Sequence, residues 1–163
     1  MLYRLLRPQK SSLSQCEAII RTVHSSMSFS LPYKYITADE LAKILKAKPA
    51  SDVKDIAVVD VRDDDFAGGN IVSAVNVPSS TFHDSVGGLV KRLEKCPSVV
   101  FHCALSQQRG PKAARIYAET REASLSSPPT QQIYVLRDGF TGFQSKFRND
   151  PELVEKFNKY YHD

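Results

Sequence analysis

Tryptophan is absent, methionine occurs twice and cysteine three times in 163 residues. The three cysteines, Cys16, Cys96 and Cys103, form no Cys-x-x-Cys pair and join no Cys/His cluster with zinc-ligand spacing. That argues against a disulfide framework and against a structural metal, and no metal site is expected. A reducing compartment is the simpler expectation, and it keeps a reactive thiol available. No run approaches the roughly 20 apolar residues of a membrane helix, so the sequence reads as soluble with no membrane partner. No internal repeat is present. Acid is nearly missing from residues 1–27, where Glu17 alone faces Arg4, Arg7, Lys10 and Arg21. Residues 28–163 then hold 18 basic and 17 acidic groups, so most of the net charge of +4 sits at one end. Such a distribution gives no basic face on a folded body, and no nucleic-acid partner is expected.

The length suits one domain with one sizeable core. With 42% hydrophobic and 25% charged residues, the composition is that of a globular protein rather than a disordered one. Residues 1–27 stand apart as a Ser- and Arg-rich extension, and residues 28–163 form the expected domain. Three readings of the extension compete: a mitochondrial presequence, a disordered tail, or upstream sequence before a true start at Met27. The expected location is cytoplasmic and nuclear, or mitochondrial if the extension is a presequence.

Regular patterning begins at Ile36. Thr37-Ala38-Asp39-Glu40 is a capping box, followed by Leu41, Ile44 and Leu45 on one helical face, with Pro49 as the stop. Residues 56–61, apolar and β-branched, read as a buried strand. Gly68 and Gly69 mark a turn, and residues 71–78 are expected to be extended. Residues 89–93 suggest a helix ending near Pro97. Residues 98–103 form the clearest second strand, and Gly110-Pro111 opens a helix through Arg121. Residues 133–136 are a third strand, and residues 140–147 a Phe-bearing helix. Pro151 opens a final amphipathic helix with Leu153, Val154, Phe157 and Tyr161 toward the core. Strands alternating with helices imply parallel pairing by right-handed crossovers, hence an α/β fold with a central parallel sheet and helices on both faces. Ligands on such sheets bind beyond the carboxyl ends of strands, where Cys103 lies.

The chemistry concentrates in His102-Cys103-Ala104-Leu105-Ser106-Gln107-Gln108-Arg109-Gly110-Pro111. A loop of five residues between Cys and Arg can curl so that the amides of Ala104, Leu105, Ser106, Gln107 and Gln108 converge on a tetrahedral oxyanion. The following helix N-terminus adds favourable dipole charge. The same field stabilises a thiolate at Cys103. Arg109, with its planar fork, is the expected clamp on two anion oxygens. A cysteine at a strand end is more often a small buried hydrophobe. Here the strand before it and the Gly-Pro after Arg109 favour an oxyanion site.

These residues resemble the active loop of the rhodanese-fold phosphatases, a group that includes the cell-division-cycle dual-specificity phosphatases and the fungal and plant arsenate reductases. The small single-domain fungal phosphatases look most similar. A second motif agrees: Asp60-Val61-Arg62, Asp65-Phe66, Gly68-Gly69-Asn70-Ile71, Ala74 and Asn76-Val77-Pro78, with Asn70 where the family commonly has His. Arg137-Asp138-Gly139-Phe140 resembles the family's Gly-Gly-Phe turn. The resemblance spans residues 33–148. It implies a rhodanese-like fold and phosphatase chemistry through a phosphocysteine, with Cys103 as nucleophile and Arg109 as clamp. His102, Asp60 and Arg62 are expected as structural support, and residues 63–65 as a solvated acidic turn. The leaving-group acid is unassigned, with Asp84 and Asp138 as candidates.

The expected substrate is a phosphorylated protein or a small aryl phosphate, with no cofactor. Arsenate reduction is the first alternative, since arsenate has nearly the shape and charge of phosphate; it calls for glutathione or a similar thiol. Sulfurtransferase chemistry is disfavoured because the resemblance gives sulfurtransferases a loop one residue shorter. A non-catalytic interaction module is the remaining reading.

Overall fold

The computed structural model describes residues 30–47, 55–126 and 130–162. The extension expected at residues 1–27, the stop at Pro49 and the middle of the Ser/Pro loop lie outside the described residues. Leu31–Asp163 forms one compact unit. Its elements are β1 (Lys34–Ile36), α1 (Ala38–Lys46), β2 (Ile56–Asp60), a 3-10 turn (Asp64–Phe66), β3 (Asn70–Ile71) and β4 (Val75–Asn76). They continue with α2 (Phe82–Arg92), β5 (Ser98–His102), α3 (Arg109–Ser124), β6 (Gln132–Leu136), α4 (Gly139–Phe147), β7 (Val154–Glu155) and a last 3-10 turn (Lys159–Tyr161).

The main sheet runs β1-β6-β5-β2-β4 with every pair parallel. Side chains alternate across a strand, so neighbours in sequence serve opposite faces. Val59, Phe101 and Val135 pack with Phe82, Val86 and Leu89 of α2 and with Ala113, Ala114 and Tyr117 of α3. Val58, Val100 and Leu136 pack on the other face with Leu41 and Ala42 of α1 and Phe140 and Phe143 of α4. Burial on both faces explains why the strands read as continuous apolar runs. The expected parallel sheet covered by helices is therefore the observed fold. Its central strand, β5, delivers Cys103 to the carboxyl edge between the ends of β2 and β6.

The capping box is present as read. Thr37 Oγ1 accepts from Glu40 N–H at 3.3 Å, and Glu40 Oε2 accepts from Thr37 N–H at 2.8 Å. Three expectations need correction. The helix expected at residues 89–93 starts earlier, at Phe82, because Gly87 and Gly88 face open space and leave its buried stripe intact. The extended segment at 71–78 is split into β3 and β4 by a turn, with Ser73 at φ 63°. Among the described residues no α-helix follows Pro151. Leu153 and Val154 are buried, but β7 pairs antiparallel with β3, and Tyr161 is exposed. Strand pairing satisfies the backbone there, and a β-branched residue such as Val154 suits it.

Candidate active site

Residues 104–108 leave the end of β5, and α3 begins at Arg109. Cys103 is only 4% exposed. The Ser106 N–H donates to Cys103 Sγ at 3.2 Å, and the Cys103 N–H donates to Ser106 Oγ at 3.3 Å. This reciprocal pair curls the loop over the sulfur, with Ser106 in the left-handed region at φ 51°. Gly110 allows the curl, since a Cβ there would stand 3.2 Å from Ser106 Oγ.

The outer side of the loop is fixed by α4. The Phe140 N–H donates to the Cys103 carbonyl at 2.9 Å, and the Thr141 N–H donates to the Ala104 carbonyl at 3.0 Å. The first amides of a helix have no partner within it, and here two loop carbonyls supply one. Carbonyls held outward by these bonds keep partial negative charge away from the space over the sulfur. Asp138 and Gly139 make the approach in consecutive left-handed conformations, φ 58° and 53°.

Arg109 lies one-third exposed at the edge of the loop. Its Nη1 donates to Asp63 Oδ2 at 3.0 Å and Asp65 Oδ1 at 2.8 Å, and its Nη2 donates to Asp65 Oδ2 at 2.5 Å. The Asp65 carboxyl is held below the usual carboxylate range mainly by this bond to Arg109. Asp63 is held further down, first by Ser79 Oγ–H, which donates to it at 2.6 Å, then by the Ser80 N–H and Arg109. The guanidinium is pushed up in turn, mostly by Asp65. Residues 63–65 are thus not simply a solvated turn. The acidic run was visible in the sequence, but which of its carboxylates meets Arg109 depends on a turn 44 residues upstream of it.

Asp60 and Arg62 brace the base of the site. Arg62 donates through Nε and Nη2 to the Asp60 carboxylate at 2.6–3.1 Å, and both side chains are essentially buried. Arg62 also donates to the carbonyls of Asp65 at 3.1 Å and Gly69 at 2.8 Å, and its guanidinium lies 4.2 Å from the Phe140 ring centre. One buried cation therefore ties the 3-10 turn that carries Asp65 to the helix that buttresses the loop. Neither side chain bonds Cys103 or Arg109 directly.

His102 is wholly buried beside Asp60. Its Nδ1 stands 3.3 Å from the Cys103 carbonyl, while Nε2 is 3.6 Å from Asp60 Oδ2 and makes no hydrogen bond. Burial pushes the imidazole below its ordinary 6.5, so it is neutral and the contact with Asp60 is not an ion pair. The unfolded chain therefore takes up a proton that the folded chain refuses once the pH falls through about 6.5. Stability should be level above that value and decline below it. Urea midpoints measured from pH 7.5 to 5 should show this slope, and His102→Asn should flatten it between pH 6.5 and 5.

Asp84 on α2 and Asp138 before α4 are both exposed, and neither bonds the loop. Leu105, Gln107 and Gln108 are exposed at its rim. Beside the loop is a cleft of about 450 Å³ bounded by Ala104, Asp65, Phe140, Thr141 and His162.

The rhodanese-like domain model matches residues 37–146. Dual specificity phosphatase ibp1 of Schizosaccharomyces pombe is 33% identical over 137 residues, which cover 74% of this chain and 95% of that protein. Ygr203w of Saccharomyces cerevisiae, a homolog of single-domain rhodanese and the Cdc25 phosphatase catalytic domain, superposes with a TM-score of 0.67. Its identity is 27%, with 85% of this chain and 97% of that chain covered. The As-Sb reductase of Leishmania major superposes with a TM-score of 0.64 at 35% identity, covering 75% and 84% of the two chains. With its family model spanning most of the parallel sheet and the cysteine loop, the chain belongs to the rhodanese-like domain family.

Proposed function

We propose that the chain is a cysteine-dependent phosphatase for aryl phosphate esters, phosphotyrosine among them, with Cys103 as nucleophile and Arg109 as oxyanion clamp. The observation that carries this reading is the bond from the Ser106 amide to Cys103 Sγ, in a loop whose first two carbonyls are tied outward. The Cys103 thiolate attacks phosphorus in line, forming a P–S bond as the ester P–O bond breaks. Loop amides and Arg109 stabilise the charge on the equatorial oxygens. Water then attacks the phosphocysteine, releasing inorganic phosphate and returning the thiolate.

Proton delivery to the leaving oxygen has no assigned group in this mechanism. The carboxylates nearest Arg109, those of Asp63 and Asp65, are both held ionised. A general acid contributes about 10²–10⁴-fold where one acts, and most where the leaving group is poor. Esters of acidic phenols should therefore be hydrolysed at least ~10²-fold faster than phosphoserine. Kinetics on p-nitrophenyl phosphate, phosphotyrosine and phosphoserine test the point; equal rates on all three would require a proton donor. Absence of hydrolysis of all three would remove the phosphatase reading.

A second reading is supported by the similarity to the As-Sb reductase. Arsenate placed over Cys103 would form an As–S bond with loss of water. An external thiol such as glutathione would then attack Cys103 Sγ, breaking the As–S bond so that its electron pair takes As(V) to As(III), and a second thiol would resolve the mixed disulfide, releasing an external disulfide and returning the Cys103 thiol. Arsenite formation that needs both glutathione and Cys103 tests this. Cyanide-dependent transfer of sulfur from thiosulfate, with no phosphate release, would favour sulfurtransferase chemistry instead.

A further inference from the structure

A guanidinium carries five N–H donors in one plane. In Arg109, Nη1 gives its two hydrogens to Asp63 and Asp65, and Nη2 gives one to the other oxygen of Asp65. Asp65 thereby occupies the end of the fork, and Asp63 its outer corner. Among the described residues, the Nε–H and the second Nη2–H are left without a protein acceptor. These two lie side by side along one edge of the plane and match the spacing of two oxygens on a tetrahedral anion.

Isolated surface ion pairs contribute little, because long side chains keep their freedom. Here the carboxylates are themselves held. Asp63 accepts from Ser79 Oγ–H at 2.6 Å and the Ser80 N–H at 3.0 Å. Asp65 Oδ1 accepts from the Asp63 N–H at 3.0 Å, and the Asp65 carbonyl accepts from buried Arg62 at 3.1 Å. The acidic platform is thus anchored to the Asp60–Arg62 brace and to the start of the segment leading into α2.

We infer that Asp65, backed by Asp63, is a positioning residue that presents the Nε–Nη2 edge of Arg109 to the oxyanion bound over Cys103. This deepens the proposed phosphatase reading and rests on it. Asp65 touches no substrate in this scheme. It acts by fixing the plane of the clamp, so its loss weakens the strained transition state more than the ground state.

The test compares Asp65→Asn with Asp64→Asn in the full-length chain. Both remove one negative charge from the same turn, but Asp64 is exposed and makes no bond to Arg109. With p-nitrophenyl phosphate, Asp65→Asn should lower kcat by about 10- to 100-fold while KM moves less than about threefold. Asp64→Asn should keep kcat within about twofold. Placed on Arg109→Lys, which has no edge to orient, Asp65→Asn should cost less than about threefold more. Equal losses for both aspartates, or the same loss in the lysine background, overturn the assignment in favour of a charge or folding effect. If the wild type hydrolyses nothing, the phosphatase reading fails, and arginine Nε–H NMR signals decide the positioning on their own. Inorganic phosphate should shift the Arg109 signal in the wild type and shift it by less than about half as much in Asp65→Asn. No shift on saturation with phosphate, or the same shift in both proteins, rejects the inference.

Discussion

Replacing Cys103 with serine is expected to lower p-nitrophenyl phosphate turnover by more than about ten-thousand-fold while leaving phosphate binding within about threefold. The swap keeps an atom at the base of the loop that the Ser106 amide can still reach, across the present 3.2 Å. It also keeps both α4 bonds to the loop, because those bonds use backbone atoms. What disappears is the sulfur nucleophile of the proposed mechanism. A serine hydroxyl has no neighbouring base here to take its proton: His102 directs neither nitrogen at the sulfur, and Asp63 and Asp65 are committed to Arg109. Rapid-mix trapping should recover a phosphorylated wild-type chain and none from the variant. If the serine protein keeps more than about a hundredth of the activity, the nucleophile is another group.

The second large effect belongs to a residue with no side chain. Gly139→Ala should both unfold the protein at lower temperature and silence the site. A Cβ at Gly139 would sit 2.3 Å from the Cys103 carbonyl oxygen and 2.4 Å from that of Ala104. Both are backbone atoms of the active loop, so relief requires the loop itself to turn. The left-handed conformation adds roughly 1–2 kcal/mol for any residue with a Cβ. With two helix-to-loop hydrogen bonds also strained, a loss of about 3–5 kcal/mol is expected. For a chain of this size that is a fall in Tm on the order of 10 °C. Turnover measured well below the transition should still be depressed by at least about tenfold, because the displaced carbonyls would crowd the space over Cys103 where the proposed mechanism places the anion. Gly88→Ala is the control. It lies inside α2 with nothing within 4 Å, and alanine there should be neutral or stabilise by about 0.5–1 kcal/mol. Wild-type Tm and activity in Gly139→Ala would show that the loop tolerates another path.

The two glycines also mark how far sequence reading reaches. Both stand in helices, and both look like helix weakeners from composition alone. Only the packing separates them: one faces open space, while the other is pressed against the carbonyls of the active loop. Asp64 and Asp65 make the same point, being identical in sequence terms and different in partner. The expected last helix failed for a related reason. Leu153, Val154 and Phe157 supply buried or half-buried contacts at spacings a helix could use, but the partner that decides their conformation is β3, more than 80 residues away.

Local chemistry was enough for the rest. The capping box, the apolar strands buried on both faces, the Gly-Pro after Arg109 and the five-residue spacing from Cys103 all act over a turn or less. The sequence alone therefore determined the parallel sheet and the place of the cysteine loop at a strand's carboxyl end. The tertiary structure decided what holds those parts in register: α4 against the back of the loop, Asp63 and Asp65 around Arg109, and buried Arg62 joining the two. These are contacts between segments far apart in the chain, fixed by close packing of the whole sheet, and no local pattern encodes them.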